Sequence, residues 1–352
     1  MFILKFLLIN CMGFYLKEAM FYEKLDENKV KCNLCPHRCV IPNFKKGICA
    51  VRENKDGTLY SLVYGKLVAK AVDPIEKKPL FHFYPGTEAY SIATVGCNFR
   101  CLNCQNYEIS QLPKEQKIIL GEDATPEEIV FEAKRFKCKS IAYTYTEPTI
   151  FFEFAYETAK LAHENGIKNV FVTNGYITEE ALKEIKPYLD AANIDLKSFR
   201  EDFYLKICGA HLNPVLDAIK LYKQFGIWIE LTTLIIPGMN DSEEELRKIA
   251  EFIRDEVDPE TPWHVTQFYP MYKLSHLNRT PVATIRKARE IGLKTGLKYI
   301  YVGNVPGDPG ENTYCPSCGK LLIQRYGYEI LEYNLKGSKC SFCGAEINGV
   351  WS

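Results

Sequence analysis

From Ala89 onward, apolar strand-like runs alternate with amphipathic helical stretches, and this rhythm constrains the chain more than any other feature. The runs are Tyr90–Val95, Ser140–Tyr145, Asn169–Thr173, Ala191–Leu196, Trp228–Ile235, His264–Phe268 and Lys298–Val302. Strands separated by helices predict βα units, a parallel sheet and an α/β fold. Six or so units in roughly 200 residues make a barrel-sized object. The helices carry their own start signals. Thr125-Pro126-Glu127-Glu128 combines an N-cap, a proline at the first helical position and a capping-box Glu. Ser242-Glu-Glu-Glu245 repeats the box spacing, and Thr178-Glu179-Glu180 places acids at the positive end of a helix dipole.

In such folds reactive groups gather at the C-terminal ends of the strands, and polar residues cluster there. Cys97-Asn-Phe-Arg-Cys101-Leu-Asn-Cys104 follows the first strand, and Thr144-Tyr-Thr-Glu147-Pro148 the second. Thr173-Asn174-Gly175 ends the third, Asp195 and Lys197 the fourth, and Ile236–Asp241 the fifth. Gln267, Tyr269 and Tyr272 follow the sixth. Each has an ordinary alternative, such as a turn pair, a helix-terminal acid or a surface ion pair. Together they describe one rim around one site.

Fourteen cysteines among 352 residues are too few for a disulfide scaffold, and most lie in close runs, which points to metal binding in a reducing, cytoplasmic compartment. The C-x3-C-x2-C run supplies three thiolates, and no Cys or His follows Cys104 until Cys138. A structural zinc site fills its fourth position from the protein. A [4Fe–4S] cluster held by three cysteines keeps one iron open for chemistry. Cys32, Cys35, Cys39 and Cys49 form a compact knuckle that Zn²⁺ or a second iron–sulfur cluster would both satisfy, and His37 reads as a solvated loop residue, with substitution for one thiol as the alternative. Cys315-Pro-Ser-Cys318-Gly and Cys340-Ser-Phe-Cys343-Gly bracket a hairpin-like Leu321–Tyr333, the pattern of a zinc ribbon. Cys11, Cys138 and Cys208 read as small core residues, and His82 as a packed core histidine. Asp73–Leu80, with two prolines, reads as an ordered loop.

Lys+Arg and Asp+Glu both number 44, so there is no bulk attraction for nucleic acid. Residues 1–19 are an apolar extension, short for a membrane span and interrupted by Lys5. They are read as a start-site artefact, with Met12 and Met20 as alternative starts and a membrane-surface helix as the second reading. No stretch makes a stable membrane span. The expected organisation is residues 20–88 as a Cys-rich N-terminal domain, 89–305 as the core and 306–352 as a zinc-ribbon-like module.

These positions resemble the radical S-adenosylmethionine (SAM) superfamily, whose signature is the C-x3-C-x2-C loop after the first strand of a partial (β/α)6 barrel. Phe171–Gly175, Asn193–Lys197 and Ile235–Asp241 resemble segments of pyruvate formate-lyase-activating enzymes. The full layout is similar to the radical SAM member of the AmmeMemoRadiSam system. The resemblance implies a [4Fe–4S] cluster on Cys97, Cys101 and Cys104 whose open iron takes the amino and carboxylate groups of SAM. It places Asp195 at the ribose hydroxyls, Lys197 at the SAM carboxylate, Thr173 and Asn174 beside the methionine and ribose, and Ile236–Gly238 along the adenine. The family's Gly-Gly-Glu-Pro reads Thr144-Tyr-Thr-Glu147-Pro148 here, so only Glu147, assisting at the SAM ammonium, and Pro148 carry over. An activase histidine falls at Tyr272. The implied function is reductive cleavage of SAM to a 5′-deoxyadenosyl radical that takes hydrogen from a small-molecule or protein substrate. A glycyl-radical-enzyme activase is the alternative, and a non-catalytic iron–sulfur or zinc module rests only on the knuckle and ribbon. Implied partners are an electron donor such as ferredoxin or flavodoxin and the Memo-like and AMMECR-like proteins of the same system.

Overall fold

The computed structural model describes residues 16–351. Most of the apolar extension therefore lies outside the described residues. Its last part does not stand apart: Lys17–Glu18 pairs antiparallel with Thr58–Ser61, Ala19 is buried, and Lys17 bridges to Glu157 at 2.5 Å. The Cys-rich region is thus sewn to the core from Lys17 onward, not from residue 20.

The core is one eight-stranded sheet. In chain order its strands are β1 (Ala69–Pro74), β2 (Glu88–Ala93), β3 (Ser140–Tyr143), β4 (Lys168–Thr173), β5 (Ala191–Asp195), β6 (Trp228–Ile235), β7 (Trp263–Gln267) and β8 (Ile300–Gly303). They neighbour one another in that same order. Strands β2 to β8 are parallel, while β1 joins β2 antiparallel, with Asp73 opposite Ala89. The seven parallel strands are those expected from the alternation. The sheet's two ends, β1 and β8, do not pair with each other, so the barrel is partial. The first half of Asp73–Leu80, expected as a loop, belongs to β1 and a 3-10 turn at Ile75–Lys77. Antiparallel pairing satisfies an otherwise bare sheet edge.

Helices fill the crossovers: α1 (Pro126–Arg135), α2 (Phe152–Glu164), α3 (Glu179–Ile185), α4 (Asn213–Gln224), α5 (Glu243–Phe252) and α6 (Val282–Thr295). One sheet face carries Ile92, Tyr143, Phe171, Ile194, Leu231 and Val265, all with no exposure, and the helices pack onto it. Each such side chain contributes about 1.5–3 kcal/mol on burial. The Thr125–Glu128 box forms in full at α1. At α5 only half of it forms. Ser242 caps Glu245 N–H, but the Glu245 carboxylate turns inward to the Ser198 hydroxyl and Phe199 N–H. Buried donors after β5 outcompete an exposed N-cap amide, because leaving them unpaired would cost more.

The N-terminal ends of the strands are closed by Leu80–Tyr84 and by the ribbon. Glu230, fully buried on β6, accepts from Phe81 N–H (3.0 Å), His82 N–H (2.7 Å) and His264 Nε2 (2.7 Å). His82 Nδ1–H donates to the Asn348 carbonyl at 2.7 Å, and its Nε2 lies 2.5 Å from Tyr301 Oη. Burial pushes the His82 pKa down to about 4, which keeps the ring neutral and leaves Nε2 to accept from Tyr301. Arg325 of the ribbon donates to the Phe81 carbonyl at 2.9 Å and lies 4.2 Å over the Phe81 ring. Phe83 bridges to Val350. The packed-core reading of His82 holds, and the ribbon sits beneath the sheet, at the end away from Cys97.

Among the described residues no helix is long and apolar enough to cross a membrane.

Candidate active site

Cys97, Cys101 and Cys104 lie on the irregular loop leaving β2, at its C-terminal end. The loop is held by backbone groups of distant elements. Arg100 N–H and Leu102 N–H donate to the Cys208 and Ile207 carbonyls at 2.8 and 3.0 Å, and Lys273 N–H donates to the Leu102 carbonyl. Tyr204–Cys208 is a single π-turn, a distortion that is common beside functional sites. Phe99 is buried between Tyr176 and Tyr204 and anchors the loop to the core.

Two of the three sulfurs, those of Cys97 and Cys104, have a hydrogen-bonding partner. Phe99 N–H lies 3.3 Å and Asn174 Nδ2 3.8 Å from Cys97 Sγ. Ser110 Oγ lies 3.1 Å from Cys104 Sγ. Cys101 lies beside the buried Cys208 thiol. That contact and burial push the Cys101 pKa far up, while burial alone chiefly raises Cys97 and Cys104. Bare, these thiols are protonated. Binding a metal centre supplies the positive charge that holds them as thiolates, and the surrounding donors suit the sulfurs of an iron–sulfur cluster. The residues fit the group. Cys208 is a buried core residue, as its isolation suggested, and it packs beside Cys101.

Glu147, fully buried, ties the end of β3 to the end of β4. Its Oε1 accepts from Thr149 N–H (3.0 Å), Thr149 Oγ1 (2.7 Å) and Thr173 Oγ1 (2.8 Å), and its Oε2 from Asn174 N–H (2.8 Å). Burial raises its pKa, against the pull of those bonds. Most of its acceptor capacity is thus committed to the chain, leaving one position on Oε2. Asn174 Nδ2 also donates to Asn98 Oδ1 at 2.8 Å, and Asn174 Oδ1 accepts from Tyr176 N–H. Cys97, Asn98, Glu147, Thr173 and Asn174 form one connected network.

Asp195 and Lys197 are paired at 2.8 Å, with side chains 34% and 19% exposed, so the pair is lodged in the rim rather than on open surface. Burial opposes the ammonium, but the paired Asp195 carboxylate leads the effects that outweigh it and hold the Lys197 pKa well above the ordinary value. Lys197 N–H donates to the buried Tyr204 hydroxyl at 3.1 Å. The Ile236–Asp241 turn is braced internally. Asn240 Oδ1 accepts from Ile236 N–H at 2.7 Å, and Asn240 Nδ2 donates to the Lys197 and Leu234 carbonyls.

Two expected rim residues, Gln267 and Tyr269, are engaged by Arg279. Tyr272 stays beside the cysteine loop, stacking on Tyr107 at 4.6 Å while bonding Glu115. The sequence reading missed Ser110, Gln111 and Lys114, which hold the loop from the next helical turns. Gln111 Nε2 and Lys114 Nζ both donate to the Phe99 carbonyl. Their nearness to Cys104 in sequence was the available signal. Tyr145, with φ of 62°, reaches back to Asp73, which also pairs with the buried Lys78 at 2.6 Å. A bulky residue in that left-handed region is strained. His37 is not a solvated loop residue: its Nε2 meets the Asn98 carbonyl at 2.9 Å and its ring lies 4.8 Å from Tyr176.

A thiol-rich loop at the C-terminal ends of a partial α/β barrel, with an acid–base pair at the end of β5, defines a class of enzyme site suited to a metal centre. Residues 91–253 match the Radical SAM superfamily. An uncharacterised protein of Methanocaldococcus jannaschii is 52% identical over 337 residues, covering 95% of this chain and 100% of that protein. The pyruvate formate-lyase-activating enzyme of Clostridium pasteurianum is 28% identical over 166 residues, covering 46% of this chain and 67% of that enzyme. The crystal structure of a radical SAM methyltransferase from Sphaerobacter thermophilus matches with a TM-score of 0.50 and 15% identity, over 68% of this chain and 71% of that one, a likeness of fold alone. The chain belongs to the radical SAM superfamily and is an enzyme of that type.

Cys315, Cys318, Cys340 and Cys343 bring four sulfurs within 4.8 Å of one another, a group that can hold a metal ion. The Cys315–Cys343 and Cys318–Cys340 separations are 3.7 and 3.8 Å. Tetrahedral Zn–S bonds of about 2.3 Å give edges of about 3.8 Å.

Proposed function

We propose that this enzyme cleaves SAM reductively on a [4Fe–4S] cluster held by Cys97, Cys101 and Cys104, yielding a 5′-deoxyadenosyl radical that takes hydrogen from substrate. The observation that carries the reading is the set of three thiols on one loop, hydrogen-bonded at Cys97 and Cys104, beside the Asp195–Lys197 pair. Lys197 would hold the SAM carboxylate as a point charge, and Asp195 would accept from the ribose hydroxyls. Glu147 would keep Thr173 and Asn174 in register, and Asn174 would orient Cys97. The buried walls would keep water from a reactive radical. Zinc would occupy the ribbon. An electron donor such as ferredoxin or flavodoxin, in the cytoplasm, would supply the electron. The Memo-like and AMMECR-like proteins remain the partner candidates from the family resemblance.

A second reading, that the chain installs a glycyl radical in a partner enzyme, is favoured by the relatives named as activating enzymes. Anaerobic protein given dithionite and SAM should release 5′-deoxyadenosine and methionine in either case. An intact cluster that yields neither product removes both readings. Radical transfer to a co-purified protein, seen as a glycyl electron paramagnetic resonance (EPR) signal, separates the second from the first.

A further inference from the structure

Cys32, Cys35, Cys39 and Cys49 line one concave space together with Arg52 and Thr149. Its remaining wall includes Leu34, Ile41 and Ile150. Its sulfurs are arranged unlike those of the ribbon. Among the described residues, the ribbon is the one group in which three or more ligand atoms all come within 4.8 Å. The N-terminal thiols are thus spread wider than the edges of about 3.8 Å that one tetrahedral zinc requires. Cys97, Cys101 and Cys104 share that wider spread. A four-iron cube bound at its corners separates its thiolates more than a single ion does. Arg52, buried and paired with Glu153, donates through Nη1 to Cys32 Sγ at 3.6 Å, the kind of hydrogen bond that stabilises and tunes a cluster sulfur.

The cavity also backs directly onto the active-site loop. Gly96, immediately before Cys97, has φ of 102°, and a Cβ there would lie 2.6 Å from Val51 and 3.5 Å from the Cys49 carbonyl. His37, two residues after Cys35, meets the Asn98 carbonyl. Thr149 lines the cavity and also bonds Glu147. We propose that Cys32, Cys35, Cys39 and Cys49 hold an auxiliary [4Fe–4S] cluster, fully ligated by protein, against the back of the active-site loop. With no open iron it can bind no substrate, and the chemistry it offers is one-electron transfer. This inference does not depend on the reaction proposed above.

The test is metal content of the full chain, purified anaerobically and reconstituted with iron and sulfide. A variant with Cys97, Cys101 and Cys104 all replaced by Ala should retain about four irons and four sulfides, the brown absorbance of a cluster, and the zinc of the ribbon. Iron near zero, with or without a second zinc, overturns the proposal. In the reciprocal variant, Cys35→Ser with Cys39→Ser, iron should fall by about half while the active-site cluster stays EPR-active. Unchanged iron there also overturns it, so the proposal stays testable if one variant fails to fold.

Discussion

The active-site loop and the ribbon both gather cysteines, yet they stand at opposite ends of the same sheet and differ in closure. The ribbon's two C-x2-C-G turns bring four sulfurs to tetrahedral spacing, and each turn is completed by its own backbone bonds, Gly319 N–H to Cys315 and Gly344 N–H to Cys340. Its neighbours are the plug at Phe81–Phe83 and Arg325. The loop offers three sulfurs, and its donors come from the strand ends, a π-turn and a following helix. A site that closes on itself can only hold its metal and whatever rests against it. A site left incomplete has room for a reactant. The difference assigns stability to one end of the barrel and chemistry to the other.

The largest effect should come from opening the loop. Cys101→Ala should remove the active-site cluster and abolish 5′-deoxyadenosine release while leaving zinc in place. An unchanged iron count and spectrum would strike Cys101 from the ligand set. The converse substitution, Cys318→Ala, should release zinc and lower the unfolding temperature markedly, since structural zinc contributes folding free energy directly. The iron content should not change. An unaltered melting curve would mean that the ribbon does not clamp the plug.

Lys197→Ala should weaken SAM binding by about 1.5–3 kcal/mol, the range for hydrogen bonds to charged groups. Titration calorimetry on the reconstituted protein measures this, and wild-type affinity would place Lys197 outside the SAM site. The ribbon end should respond to acid instead. His82 has a folded pKa of about 4 against about 6.5 unfolded, so between these values the unfolded chain binds more protons and stability falls as pH drops. The loss from pH 7 to pH 5 is on the order of 2 kcal/mol. His82→Gln should flatten that part of the slope in thermal melts, and an equal slope in both proteins would show that His82 is not its source. The smallest effect is expected at Cys208. Cys208→Ala should keep the iron but shift the cluster potential slightly to more negative values, because a polar neighbour of the Cys101 sulfur is replaced by an apolar one. Loss of iron would make Cys208 a ligand instead of a neighbour.

The parts of the molecule that rest on short stretches were legible in the sequence. All seven parallel strands follow from apolar runs, and the α1 cap from four consecutive residues. The ribbon and the three-thiol loop follow from cysteine spacing, because ligands that must converge on one centre are cheapest to supply from adjacent turns. Long-range contacts were less legible. Glu245 fits a capping box by spacing, yet folding places the buried Ser198 hydroxyl within its reach. His37 and Cys208 are unremarkable in sequence and acquire their contacts only when the N-terminal region and the π-turn pack against Asn98 and Cys101.

The sequence by itself determined the βα order, the cysteine groups and the end of the sheet at which Cys97–Cys104 would lie, since each depends on local periodicity or on ligands a few residues apart. Tertiary structure alone decided that the ribbon seals the far end of the barrel and that Glu147 ties two strand ends together. It also decided that the four N-terminal thiols spread around a cavity behind Cys97 instead of closing on one ion. Those outcomes depend on residues up to hundreds of positions apart in the chain, and burial forces every polar group among them to find its partner.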